Sequence, residues 1–174
     1  MPSIRIKKEL NDRTYFVTPT VKNWYYIFDR YKRWEILADC LRYHVENKEL
    51  KIFGYVFMLN HLHMIVQCPD VIGFIRDFKK FTSRRIQTNL QQTEPNVLEL
   101  FRNSEGLYEF WRKTNMPELI ESEVFFLQKL KYIHSNPVVK QYVRKAEDWY
   151  WSSAIDYNTE QHGPLPICQM LDET

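Results

Sequence analysis

The stretch Lys51-Ile52-Phe53-Gly54-Tyr55-Val56-Phe57-Met58-Leu59-Asn60-His61-Leu62-His63-Met64-Ile65-Val66-Gln67 decides the fold. Lys51 to Leu59 is apolar on both alternations, as expected for a strand covered on both faces. His61 to Gln67 alternates sharply: Leu62, Met64 and Val66 point one way, His61, His63, Ile65 and Gln67 the other. With only Leu59-Asn60 between them, the two runs predict a hairpin. Upstream, Thr14 to Thr18 is β-branched and aromatic and stops at Pro19, a first strand. Tyr25 to Asn47 places Ile36, Leu37, Leu41 and Val45 at helical recurrence. Downstream, Asp70 predicts an N-cap for a helix from Val71 to about Leu90. Gln91 to Gly106 is polar, holds Pro95, and reads as a surface loop. Leu107 to Arg112 reads as a fourth strand. Glu118 to Ser135 is helical in pattern and is expected to stop at Asn136-Pro137, since a residue before proline avoids the helical region.

This order of strand, helix, strand, strand, helix, strand is the split βαβ of an α+β, ferredoxin-like (RRM-like) antiparallel sheet. Helices are expected on one face, followed by a further C-terminal helix and an irregular tail. The 174 residues predict one domain, with a core over about 13–157 and the tail after about 158.

Composition bounds the chemistry. Hydrophobic residues at 44% and charged residues at 26% are those of a globular protein. No run of about eighteen apolar residues exists, which argues against a membrane-spanning helix. Met1-Pro2-Ser3-Ile4-Arg5 lacks the apolar core of a signal peptide, and three scattered cysteines (Cys40, Cys68, Cys168) suit a reducing cytoplasm better than a disulfide framework or zinc ribbon. Four glycines exclude a glycine-rich phosphate cradle. A net charge of +2 permits a nucleic-acid partner without arguing for one.

Two constellations carry candidate chemistry. His61 and His63, at i and i+2 on a strand, project from the same face and can bind one divalent metal, although two polar residues on a solvated sheet face would look the same. On the last helix, Tyr132 and Asn136 are four apart and share a face. At 100° per residue Tyr132 lies about 200° from Leu130 and about 140° from Leu127, off the apolar stripe Phe126, Leu127, Leu130 and Ile133. Core packing is the ordinary role of a helical tyrosine, and an asparagine before proline is an ordinary helix end. His134 is left facing either site or solvent.

The run Phe53 to Val66 resembles the HUH strand pair of single-tyrosine transposases, and Leu130-Lys131-Tyr132-Ile133-His134-Ser135-Asn136-Pro137-Val138 resembles their catalytic helix. Asp148-Trp149-Tyr150-Trp151-Ser152-Ser153-Ala154 is similar to a downstream signature of the REP-associated tyrosine transposases, a bacterial subgroup. Tyr15 to Thr18 and Phe78 to Arg84 also fit, so the resemblance spans most of residues 13 to 157. It implies a metal-dependent single-strand DNA endonuclease and strand-transferase acting on hairpin-forming DNA through a covalent 5′-phosphotyrosine. In that scheme Tyr132 is the nucleophile, and His61 and His63 bind Mg²⁺ or Mn²⁺. Asn136 stands where relatives often carry glutamine as a further ligand. Monomer and homodimer both occur in such relatives.

The helix from Val71 to Leu90 carries Arg76, Lys79, Lys80, Arg84 and Arg85 against one acid, Asp77: five minus one, or +4, against +2 for the whole chain. Phosphate contact and a merely solvated face are the two readings. Trp149, Tyr150 and Trp151 either stack on unpaired bases or plug a small core, and the plug is the preferred expectation. Two other functions compete: a non-catalytic nucleic-acid-binding module of the same fold, and a metal-dependent hydrolase using His61 and His63 with Cys68 or an acid and no covalent intermediate.

Overall fold

The computed structural model describes residues 10–113 and 117–169; the N-terminal stretch read above for a leader lies outside them. Four strands, β1 (Thr14–Val17), β2 (Lys51–Phe57), β3 (Leu62–Gln67) and β4 (Glu118–Leu119), form one sheet in the order β2-β3-β1-β4. Each neighbouring pair is antiparallel, the ferredoxin-like arrangement expected. The helices are α1 (Arg33–Asn47), α2 (Val71–Thr93), α3 (Pro95–Glu99), α4 (Glu123–Val139) and α5 (Ala154–Asn158).

Strand alternation divides the core into two layers. Tyr15, Val17, Ile52, Tyr55, Phe57, Leu62, Met64 and Val66 face α1 and α2, with Leu37, Leu41, Phe74, Phe78 and Ile86 packed over them. Phe16, Phe53, Val56, Met58 and Ile65 face the other way, onto Phe126, Leu130 and Ile133 of α4. Burying each of these α4 side chains contributes roughly 1.5–3 kcal/mol. Helices therefore cover both faces of the sheet, with α4 alone on the second. A β-bulge between Ile52 and Gly54 lets α4 approach. A Cβ at Gly54 would lie 2.6 Å from Leu130 Cδ1, so only glycine leaves room for the helix.

Asp70 caps α2 as expected, accepting from Gly73 N at 2.9 Å. Six expectations need correction. Helix α1 begins at Arg33, not Tyr25, because Tyr31 and Lys32 adopt positive φ. The Arg33 side chain is fully buried and binds the Ile27 carbonyl, Asn89, Thr93 and Glu94, which ties the preceding loop to the end of α2. Gln91 to Gly106 is not all loop: α2 runs to Thr93 and Pro95 opens α3, whose Leu98 is buried.

Leu107 to Arg112 is not the fourth strand. It pairs instead with residues 20–22 (Lys22 N to Phe110 O, Arg112 N to Thr20 O), and Phe110 and Trp111 fill the α2 side of the core. The edge strand is the two-residue β4, which displaces the start of the last helix to Glu123, where Ser122 caps it. That helix also passes through Pro137 to Val139. Proline removes only one amide there, and the turn closes through Lys140 N to Asn136 O and Tyr142 N to Pro137 O. Leu127, expected in its apolar stripe, is exposed.

The tail lies along the outer edge of β2 through Phe57 N to Trp151 O, Ser153 N to Tyr55 O and Cys168 N to Ile52 O. Trp151 stacks on Phe57 at 5.5 Å, and the Trp149 indole donates to the Phe57 carbonyl at 2.9 Å. Both indoles pack on Trp34, so they plug a core, while Tyr150 is exposed.

Candidate functional site

The hairpin turn and α4 build the site. His61 precedes β3, and His63 lies within it on the α4 face, with ring centroids 4.7 Å apart. Tyr132, half exposed on α4, brings its hydroxyl to 3.5 Å from His63 Nε2, the outer limit of a hydrogen bond. Phe16 of β1 stacks on His63 at 5.4 Å and meets Tyr132 edge-on at 6.2 Å, fixing both rings.

Each imidazole is held through Nδ1. Asn60 Nδ2 donates to the Trp24 carbonyl at 2.8 Å, which turns Oδ1 towards His61 Nδ1 at 2.7 Å. An amide oxygen only accepts, so His61 carries its proton on Nδ1 and keeps the Nε2 lone pair. His63 Nδ1 lies 2.9 Å from Thr18 Oγ1. Burial, then the Lys140 charge, lowers the His61 pKa to about 4. Burial, then His61 and Lys129, lowers that of His63 to about 3. Both rings are thus neutral at pH 7.

Oriented neutral imidazoles with an oxygen on Nδ1 are the usual setting of metal-binding histidines. Among the described residues no three His, Cys, Asp or Glu side chains cluster to hold an ion. His61 and His63 are the two nitrogen donors the structure sets side by side here, and the amide of Asn136 is the further donor expected from the family resemblance. Asn136 is buried one turn beyond Tyr132, and among the described residues no hydrogen bond occupies its side chain. This donor set of two nitrogens and one neutral oxygen fits a divalent ion that keeps open positions for phosphate.

Other sequence candidates fall elsewhere. His134 takes neither expected role: its Nε2 lies 2.8 Å from Ser153 Oγ, tying α4 to the tail, and burial lowers its pKa to about 4. Cys68 lies at the far end of β3 in the opposite core layer, its thiol pushed up to about 11 chiefly by burial, out of reach of the histidines. Arg76, Lys80, Arg84 and Arg85 are exposed on α2, whose Phe78 packs on the other side of the sheet from His63. Arg76 pairs with Asp77 at 3.0 Å, and the half-buried Lys79 donates to the Arg112 carbonyl at 2.7 Å. The structure therefore brings together His61, His63 and Tyr132 but sets the basic residues apart.

Sequence reasoning missed Thr18 and Asn60. The Val17–Met64 register would have found Thr18, since one step further it faces His63. Asn60 was visible only as a turn residue.

Comparison with known proteins bears on the fold and the family. The chain is 24% identical over 159 residues to an uncharacterized protein of Haemophilus influenzae (strain KW20 / Rd), covering 79% of this chain and 88% of that protein. Its fold resembles that of a REP-associated tyrosine transposase solved bound to a REP hairpin, with a TM-score of 0.68 at 18% identity over 90% of this chain and 84% of that one. The family model described as "Transposase IS200 like" matches residues 10–106, more than half of the chain, including both site histidines and ending before α4. The chain belongs to the IS200-like transposase family.

Proposed function

We propose that this transposase-family protein is a single-strand DNA endonuclease and strand-transferase, with Tyr132 as nucleophile and hairpin-forming DNA as substrate. The observation that carries the reading is the Tyr132 hydroxyl beside His63 Nε2, next to two neutral imidazoles fixed through their Nδ1 atoms. A solvated pair of histidines on an open sheet face would need neither the burial nor the two partners.

The chain's own residues supply position. Phe16 and the α4 backbone hold the phenol half exposed, where a phosphate can reach it. A neutral phenol is a weak nucleophile until it loses its proton. His63 Nε2 could not both hold a metal and take that proton; were it a ligand, the proton would have to go to another acceptor, such as water. His61, His63 and Asn136 would hold Mg²⁺ or Mn²⁺, which when bound supplies Lewis-acid polarisation of the scissile phosphate. The tyrosine oxygen forms a bond to phosphorus while the bond to the 3′ oxygen breaks. That oxygen takes a proton, leaving a 3′-hydroxyl and a 5′-phosphotyrosine. Attack by a second 3′-hydroxyl reverses the balance and joins strands without ATP. No nucleotide cradle is required, in keeping with four glycines in the chain.

The test is incubation with hairpin DNA carrying single-stranded flanks and Mg²⁺ or Mn²⁺, followed by denaturing electrophoresis. A protein–DNA adduct that survives SDS and vanishes in Tyr132→Phe is expected. Cleavage persisting in Tyr132→Phe would favour the hydrolase reading, and binding without cleavage the non-catalytic module.

A further inference from the structure

A cleft of about 450 Å³ opens beside the histidine pair, lined among others by Trp24, Tyr26, Asn60, His61, Lys140 and Tyr142. It is rich in aromatic surface that the protein leaves uncovered: Trp24 is 56% exposed, Tyr26 54% and Tyr142 37%. Its rim is cationic. Lys140 lies close enough to lower the His61 pKa, the Arg112 guanidinium sits 4.9 Å over the Trp24 ring, and among the described residues no acid lines the cleft, Asp29 acting on Tyr142 from outside that lining. The cleft is also joined to the candidate site. Asn60 holds the Trp24 carbonyl with one end of its amide and His61 with the other. Trp24 itself adopts φ +60°, a conformation a bulky side chain rarely takes, so its loop is fixed against local preference.

We propose that this cleft holds an unpaired nucleobase of the DNA strand, stacked on Trp24 with Tyr26 and Tyr142 as further walls, and with its adjoining phosphates at Arg112 and Lys140. Flat π-faces next to cations suit a base and its backbone, and stacking of this kind tolerates any base. The inference rests on the proposed DNA reading of the His61–His63–Tyr132 site, because the base lies next to the phosphate held there. An apolar peptide would use the aromatic walls and leave the cations unmatched.

Binding without chemistry separates the two ideas. In a Tyr132→Phe background with EDTA, two probes are titrated: a DNA hairpin with single-stranded thymidine tails, and the same hairpin with tails that lack bases. Both carry the same charge. The tails with bases are expected to bind about 5- to 150-fold more tightly. Adding Trp24→Gly removes the ring and relieves the left-handed backbone, so the loop keeps its shape while that ratio collapses. Tyr26→Ala should reduce it in part, and Arg84→Ala should weaken both probes alike. An unchanged ratio in Trp24→Gly overturns the proposal, as does absence of binding to the thymidine-tailed hairpin. Loss of self-association in Trp24→Gly with the ratio intact would assign the cleft to a second copy instead. If the ratio depends on Trp24 but Tyr132 forms no adduct in the metal assay, the base cleft stands and the nuclease reading falls.

Discussion

The two faces of the sheet carry polar groups of opposite character. On the α4 face, His61 and His63 are largely withdrawn from water, uncharged at neutral pH and each fixed by an oxygen. On the other side, Arg76, Lys80, Arg84 and Arg85 stand in solvent on α2. Positioned chemistry needs groups held still and stripped of water, whereas attraction to a polyanion needs only charge on flexible stems. Burial, more than charge density, separates the candidate site from the candidate binding surface.

Substitutions test that contrast. Tyr132→Phe is expected to remove covalent adduct altogether while leaving hairpin affinity within a few-fold; an adduct in that variant would end the comparison at once. The supporting oxygens come next. Thr18→Val and Asn60→Ala keep both histidines yet release Nδ1, and each should cost about 10- to 100-fold in metal affinity or cleavage rate. Metal titration of the two variants reads this directly, and wild-type affinity in both would mean that orientation does not matter. Gly54→Ala forces a methyl against Leu130 and should destabilise the fold by about 1–3 kcal/mol in denaturant unfolding. It should also slow cleavage, because α4 carries Tyr132.

Acid should expose the same burial. His61, His63 and His134 have pKa values lowered by burial to about 4, 3 and 4, so the unfolded chain takes up protons near pH 6.5 that the folded chain refuses. The unfolded state then binds more protons, and stability falls as pH drops from about 6.5 towards 4, on the order of 1 kcal/mol per histidine per pH unit. Thermal melts in EDTA between pH 7.5 and 5 measure this; Glu109, held down to about 2 chiefly by Lys22, loses its contribution only at lower pH. A flat melting temperature over that range would contradict the burial argument. The smallest effect belongs to the exposed face. Arg84→Ala with Arg85→Ala should weaken binding alike for all sequences and lower the salt slope by about 0.7–0.9 per lost phosphate contact. An unchanged slope would leave α2 a solvated face.

Much of this was legible from local pattern. The alternation through Leu62, Met64 and Val66 put the histidines on the face away from α1 and α2, and Asp70 marked the start of α2. Tyr132 fell off the apolar stripe of its helix, as its half exposure bears out. The errors arose where aromatic side chains are buried on segments that make at most an isolated bridge. Phe110 and Trp111 looked like a strand because they are apolar, yet they fill the core from a loop, while the real edge strand is two residues long. Tyr25 to Phe28 falls outside the helix because the recurrence itself begins only at Ile36, and positive φ at Tyr31 and Lys32 carries no sequence signal without glycine.

By itself, then, the sequence determined the ferredoxin-like order, the paired histidines and the off-stripe tyrosine. The histidine pair and the off-stripe tyrosine follow from a side-chain period over fewer than about ten residues, set by backbone geometry alone. The order follows from the succession of such segments, although its fourth strand lies at Glu118–Leu119. Tertiary structure decided that α4 lies on the open face with Tyr132 against His63, sixty-nine residues away in the chain, and that the basic helix faces elsewhere. It also decided that Asn60 ties the aromatic cleft to the histidine pair. Which face of a sheet a helix covers depends on where complementary apolar surface remains and on the room left at Gly54, and neither is a property of any one segment.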